Sequence, residues 1–262
     1  MSRVRELGAA ATRALLCELN TTPKPGLVDR HGNGAHRDLS YSQLEASALA
    51  LESVFVEIAD SSSDQRPSRE LREHLAEIGR RGERAMLAAS GGSNTHRGAI
   101  WALGLLVAGA AAAGERSATC IAERAGELAR MQDRFARTSL SHGSVAAKRF
   151  HVDGARGEAA AGFPHVMRVA LPALHAGHAL PDVFLRLVAS VDDTCVLHRG
   201  GRQAQAIAQR GARKALRAGG SKTLLGRSSI RELERALLSR NASPGGCADL
   251  LAAALLLRDL TT

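Results

Sequence analysis

Apolar residues recur at helical spacing from the start of the chain. Val4, Leu7, Ala11, Leu15 and Leu16 fall on one side of a helix over residues 3–19. A second helix is expected from Ser42, where Ser42 and Glu45 form a capping-box pattern, to about Asp60. Ser61 to Pro67 reads as a polar linker, and a charged amphipathic helix follows from Ser68 to about Ala89. Asn94 or Thr95 would cap an almost wholly apolar helix over 96–113, and another helix spans roughly 117–138. Ser141 to Pro164 reads as a loop with at most one helical turn. Helices then follow at 165–178, 182–197 and 202–217. Ser229 and Glu232 suggest a capped helix running to about Ser239. Ser243-Pro244 is an N-cap and N1 pair that would open the last helix. The pattern predicts an all-α, single-domain multi-helix bundle over residues 1–262, with long Gly-rich loops at 21–40, 91–95 and 141–164 forming the active site.

Composition agrees with that fold class. Apolar residues make up 45% of the 262 positions but aromatics only 3%, so the core must be built from Ala, Leu and Val. Gly98 to Gly114 carries no charge for 17 residues. It is shorter than the ~20 strongly apolar residues a membrane span needs and is rich in Gly and Ala, which favours a helix buried on all sides. Arg3, Arg5 and Glu6 are followed by no long apolar run, so no signal peptide is expected. Cys17, Cys120, Cys195 and Cys247 form no CxxC pair and suit a reducing cytoplasm.

The formal charge is +9, and the stretch from Arg199 to Arg235 accounts for +8, with ten Lys/Arg against Glu232 and Glu234. Such a stretch fits a nucleotide-sized polyanion, a nucleic-acid surface or a solvated helix face. The scarcity of aromatics and the absence of any nucleic-acid-binding motif weigh against nucleic acid.

Five segments carry candidate chemistry. In Thr22-Pro23-Lys24-Pro25-Gly26-Leu27-Val28-Asp29, Lys24 is one of four lysines in an arginine-rich chain and suits a phosphate oxygen. Asp29, and Asp38 just beyond it, are candidate Mg²⁺ ligands, because Mg²⁺ prefers carboxylates, water and phosphate oxygens. Gly91 to Gly98 places Asn94, Thr95, His96 and Arg97 at a helix N-terminus, which is a natural anion site. It is not a Walker A loop. The third segment holds Arg156 and Glu158 among small residues, where they would reach a ligand or pair with each other. In the fourth, Asp192-Asp193 precedes Arg199, and adjacent carboxylates on a helix diverge, so only Asp193 is expected to face a site. The fifth, Ser243 to Leu250, exposes the N–H groups of Gly245 and Gly246 and brings Asp249 close to a helix N-terminus. No nucleophile elbow, HExxH or Rossmann fingerprint is present.

These segments together resemble the triphosphoribosyl-dephospho-CoA synthase family. The words are TPKPGLVD at 22–29, GAH with Asp38, NTHRGAI at 94–100, GARGEAAAGFP at 154–164, DTCVLHRGG at 193–201 and SPGG-ADLLA at 243–252, all in family order. Arg97 stands where the family often has Lys, and Gly92-Ser93 replaces a more usual Gly-Val pair. The resemblance implies a pentosyltransferase that moves the 5-triphosphoribosyl group of ATP to the 2′-hydroxyl of 3′-dephospho-CoA and releases adenine. Its product would be the prosthetic-group precursor for the acyl-carrier subunit of malonate decarboxylase or citrate lyase. It implies Mg²⁺ with ATP as substrate, a cytoplasmic location, contact with the transferase that loads the carrier protein, and no nucleic-acid or membrane partner. A homodimer is compatible with it. The roles it suggests are Asp29, Asp193 and Glu158 as catalytic groups, and Asp29, Asp38, Asp193 and Asp249 as metal ligands. Lys24, Asn94, Thr95, His96, Arg97, Arg156, Arg199, Gly245 and Gly246 would bind substrate and phosphate. The alternatives are another Mg²⁺-dependent nucleotide kinase or hydrolase on the same scaffold, and a basic nucleic-acid-binding protein.

Overall fold

The computed structural model describes residues 2–112, 117–136 and 141–262. Its helices are α1 (Arg3–Asn20), α2 (Tyr41–Ala50), α3 (Glu52–Ser62), α4 (Arg69–Ala89), α5 (Arg97–Ala112), α6 (Ala118–Arg130), α7 (His142–Phe150), α8 (Gly154–Ala160), α9 (Leu171–His175), α10 (Leu180–Ser190), α11 (Thr194–Arg217), α12 (Leu224–Leu238) and α13 (Gly245–Thr261). A π-helical turn, Val166–Ala170, leads into α9, and a 3₁₀ turn, Gly220–Lys222, precedes α12. Among the described residues the only β pairing is the isolated bridge between Asp29 and Gly32. The all-α expectation is met.

Two helices form the centre. Ala102 to Ala111 of α5 and Leu250 to Leu257 of α13 are buried at every position. Neither has a polar face, because each is surrounded. Helix α13 packs on α1, α5, α9, α10 and the π turn, and so joins the first part of the chain to the last. One hydrophobic cluster runs from Leu7 to Leu257. Ala and Gly at close approaches let these helices lie near one another: a Cβ on Gly109 would sit 2.5 Å from the carbonyl oxygen of Ile121 in α6. No described helix is long and apolar enough to cross a membrane. The 61–67 linker separates no domains, since α3 and α4 on either side of it pack together.

Several boundaries differ from the sequence pattern, each for a local reason. The cap of α2 is Ser40, not Ser42: Ser40 Oγ accepts the N–H of Gln43 at 3.4 Å and donates to Gln43 Oε1 at 2.8 Å. The expected helix to Asp60 is divided at Leu51. Helix α6 stops at Arg130, because Asp133 is held by Arg80 at 2.8 Å and accepts the N–H of Phe135 at 2.9 Å. Residues 113 and 137–138, placed in helices by the pattern, lie outside the described residues. The 141–164 segment holds two helices, α7 and α8, rather than a loop. The 182–197 helix is interrupted at 191–193, where Asp193 caps α11. Gly201, with φ +64°, kinks α11 just before the expected start at 202. Helix α12 begins five residues before Ser229, capped by Thr223 Oγ1 on the N–H of Gly226 at 3.0 Å, so Ser229 is interior. Ser243 does not cap α13; its hydroxyl meets His36 Nε2 at 2.8 Å.

Two glycine substitutions should separate packing from helix propensity. Gly109→Ala should destabilise the protein by about 1–3 kcal/mol, because the added methyl meets backbone. Gly79→Ala, whose Cβ would meet only Ile100 at 3.9 Å, should stabilise by about 0.5–1 kcal/mol. Urea unfolding of both variants checks the pair.

Candidate active site

The last turn of α1 places Glu18 on the helix's buried stripe, one turn beyond Leu15. The chain then turns through Thr22 and Pro23 and sends Lys24 back toward it. Lys24 Nζ lies 2.5 Å from Glu18 Oε1, and the two side chains are 1% and 6% exposed. Asp29 closes the loop: its carboxylate accepts the N–H of Lys24 at 3.0 Å and of His31 at 2.7 Å. Gly26 takes φ +81° and donates its N–H to Glu234 of α12 at 2.5 Å. A Cβ there would lie 2.8 Å from the carbonyl oxygen of Ala242. A small cavity of about 150 Å³ lies between this loop and α12, lined by residues that include Lys24, Asp29, Arg231 and Glu234.

Asp193 joins two helix N-termini. One carboxylate oxygen accepts the N–H groups of Cys195 at 2.8 Å and Val196 at 3.3 Å, at the start of α11. The other accepts the N–H of Cys247 at 2.8 Å, in the first turn of α13. Gly245 and Gly246 permit the approach, since a Cβ on Gly246 would be 3.1 Å from Asp193 Oδ2. Burial pushes the Asp193 carboxyl upward, against those N–H bonds, and pushes the neighbouring thiols of Cys195 and Cys247 well above the usual range.

Asp249 lies against the opening turn of α5. A Cβ on Gly98 would stand 1.9 Å from Asp249 Oδ2, so a larger residue there would displace the Asp249 carboxylate. The carboxylate takes a backbone hydrogen bond from Ala99. Burial, then the carboxylates of Glu18 and Asp193, raise its proton affinity well above that of an ordinary aspartate. Asp249 thus lies within electrostatic reach of Glu18 and Asp193, and Glu18 in turn holds the buried Lys24.

His96 is buried beside this group. Its Nδ1 lies 2.9 Å from Ser47 Oγ, which also accepts from Thr95 Oγ1 at 2.9 Å. Its Nε2 has no hydrogen-bond partner among the described residues. Burial, reinforced by Lys24, lowers the His96 pKa to about 4. The ring is neutral at pH 7, and so is not the cation expected for a phosphate contact. Lys24 keeps an ion-pair partner rather than standing free. Neither feature was legible in the motif words, which begin at residue 22 and omit Glu18. The signal for Glu18 was a carboxylate falling on the apolar stripe of α1.

The remaining expected residues are more dispersed. Asn94 Oδ1 accepts the N–H of Arg97 at 3.2 Å, and the Arg97 guanidinium lies 3.2 Å from Glu83. Arg199 donates to the Ala35 carbonyl at 3.1 Å and to His36 Nδ1 at 3.2 Å. Burial, then Arg199, lowers the His36 pKa to about 4. Glu158 pairs with His165 at 2.7 Å, not with Arg156. Arg156 lies over the Trp101 ring. The Asp38 carboxylate is 65% exposed. Asp29, Asp38, Asp193 and Asp249 therefore do not form one cluster, and among the described residues no three His, Cys, Asp or Glu side chains gather as a metal site.

The family model described as CitG: ATP:dephospho-CoA triphosphoribosyl transferase matches residues 4–262. A Pseudomonas fluorescens Pf-5 protein named probable 2-(5''-triphosphoribosyl)-3'-dephosphocoenzyme-A synthase is 50% identical over 266 residues, covering 98% of this chain and 91% of its own. A Klebsiella pneumoniae protein named 2-(5''-triphosphoribosyl)-3'-dephosphocoenzyme-A synthase is 45% identical over 265 residues, covering 98% and 95%. No solved structure matches.

Two stability measurements probe this geometry. Glu18→Gln should cost about 3–5 kcal/mol in urea unfolding, because it leaves a buried ammonium unpaired, while the double variant Glu18→Gln/Lys24→Met should recover part of that loss. His36 and His96 have folded-state pKa values of about 4 against 6.5 unfolded. Their contribution is complete above pH 6.5 and is lost as pH falls through about 4, since the unfolded chain takes up the protons first. His96→Asn should reduce the fall in unfolding free energy between pH 7 and pH 4.5, by on the order of 1–3 kcal/mol, read by urea unfolding at both pH values.

Proposed function

Because the chain belongs to the ATP:dephospho-CoA triphosphoribosyl transferase family, we propose that it transfers the 5-triphosphoribosyl group of ATP to the 2′-hydroxyl of 3′-dephospho-CoA and releases adenine. The observation that carries this reading is the interacting group of buried carboxyls, Glu18, Asp193 and Asp249, with Glu18 paired to the buried Lys24. The reaction forms a bond from the acceptor 2′-oxygen to ribose C1′ as the C1′–N9 bond breaks. The hydroxyl proton passes to a base, departing adenine takes up a proton, and the triphosphate stays on the transferred ribose. Positive charge develops on the ribose, as in glycoside hydrolysis. A site rich in carboxylates and shielded from water stabilises such a cation.

The geometry favours Asp249 as the proton acceptor. Asp29 and Asp193 each hold two or more backbone N–H groups, and Glu158 is paired with His165. Those bonds suit positioning. Asp249 has a raised proton affinity, which brings a carboxylate closer to the range where it exchanges protons efficiently. Lys24, Arg97, Arg156 and Arg199, with the N–H groups of Gly245 and Gly246, are assigned to the phosphates, and Asn94 and Thr95 to positioning. Mg²⁺ is assigned to the substrate MgATP, because the four aspartates named from the sequence do not converge; one or two carboxylates beside phosphate oxygens meet its needs.

The product would serve the acyl-carrier subunit of malonate decarboxylase or citrate lyase, handed on to the transferase that loads the carrier. The relatives' names support the shared precursor. Both substrates are cytoplasmic metabolites, which supports that location.

Purified protein incubated with ATP, Mg²⁺ and dephospho-CoA should release adenine only when the acceptor is present, and should yield a product heavier by one triphosphoribosyl group. Chromatography with mass detection reads both. CoA, tested beside it, reports acceptor selectivity. ADP or AMP in place of adenine would overturn the reading. Asp249→Asn should lower kcat by about 10²–10⁴ with the fold intact, whereas Asp29→Asn should act mainly on stability and KM.

A further inference from the structure

One turn along α5 from the Gly98–Asp249 contact stands Trp101, the single tryptophan of the chain. Its indole N–H donates to the Ala155 carbonyl at 3.1 Å and so ties α8 to α5. Two guanidinium groups stack on its ring: Arg72 of α4 at 5.0 Å from the centroid and Arg156 of α8 at 5.7 Å.

Arg72 is only 6% exposed, and its Nε is buried without a hydrogen-bond partner. Among the described residues it has no ion pair. The nearby acids are engaged elsewhere. Asp133 is held by Arg80 at 2.8 Å, and Glu73 by Arg134 through two bonds of 2.7 and 2.9 Å. Burial disfavours the Arg72 charge, Asp133 and Glu73 offset part of that, and Arg156 and Arg80 add to it. A buried guanidinium lacking an anion is costly for stability. Stacking on Trp101 recovers only part of that cost. Arg156 is exposed, and its contact is the same ring. Two arginine forks held at one indole ring, with no hydrogen bond or ion pair from either guanidinium among the described residues, suit a phosphate, which binds guanidinium in bidentate fashion.

We propose that Arg72, Trp101 and Arg156 form a phosphate subsite, which takes either the triphosphate of ATP or the diphosphate of dephospho-CoA. The choice between those substrates rests on the transferase reading; the anion site itself does not. Placed one turn from Asp249, the subsite would hold a charged substrate tail while its ribose reaches the carboxylates.

Trp101 reports binding directly, since no other tryptophan contributes to the emission. Inorganic triphosphate, ATP, dephospho-CoA and adenosine should be titrated separately while its fluorescence is followed. Response to triphosphate and ATP alone assigns the subsite to the donor, response to dephospho-CoA alone assigns it to the acceptor, and response to all three phosphate ligands assigns it to phosphate in general. Each supports the proposal. The response should weaken with salt, and Arg156→Gln should raise the half-saturating concentration about tenfold. Arg72→Lys, which keeps the charge but loses the fork, should weaken binding without unfolding the protein. Silence toward every phosphate ligand, or an equal response to adenosine, would overturn the subsite. Full adenine release with unchanged KM values in Arg156→Gln would also overturn it and leave the transfer reaction standing. A phosphate-dependent response without adenine release would keep the subsite and remove the reaction.

Discussion

Three backbone N–H groups from two helices donate to the carboxylate of Asp193. Helix N-termini carry partial positive charge and unpaired donors, and a buried carboxylate answers both. Once α11 and α13 share this acceptor, the first turn of α13 is fixed. Its second turn then carries Asp249 onto Gly98, at the opening of α5. The buried run Leu250–Leu257 continues from there through the core. Glu18, on the last turn of α1, completes the group because α1 packs along α13. The polar centre is thus a consequence of how a few helix ends are joined.

Such a centre is expensive. Its lysine is almost fully buried and paired with Glu18, while the Asp249 carboxyl is disfavoured as an anion by burial and by Glu18 and Asp193. Apolar residues of similar volume would serve stability as well or better. Under the proposed transfer reaction the mismatch has a chemical sense, because the site would meet a triphosphate and a ribose that becomes positive. Charges placed beforehand need not reorganise during the reaction. The neutral His96 beside them fits the same account, since another cation near Lys24 would be held at greater cost.

Most of the helices were legible from apolar spacing, because α1, α4, α5 and α11 bury long stripes or whole surfaces. The misses share a cause. Helices α7 and α8 are short and Gly-containing, and they form because they pack: α7 lies on α11, where His142 stacks on His198 at 4.3 Å. Tertiary contact overrides weak local preference there. Capping was misplaced at Ser42, Ser229 and Ser243 because several hydroxyls compete near each helix start, and sequence alone does not choose among them. The site was legible as a set of loops, since Gly beside Asp, Lys or Arg is unusual in a spacer. Its internal pairing was not. Glu18 lies outside every motif word, Glu158 chose His165 over Arg156, and the Trp101 group draws Arg72 from a helix with no motif at all.

The thiols of Cys195 and Cys247 illustrate a different outcome of the same arrangement. Cys247 is buried and Cys195 half-buried, both among carboxylates, and this setting holds the proton on sulfur. Alkylating agents and peroxides attack the thiolate, so these two cysteines are chemically quiet although they border the proposed site. Oxidation would therefore reach exposed, acidic thiols well before these two.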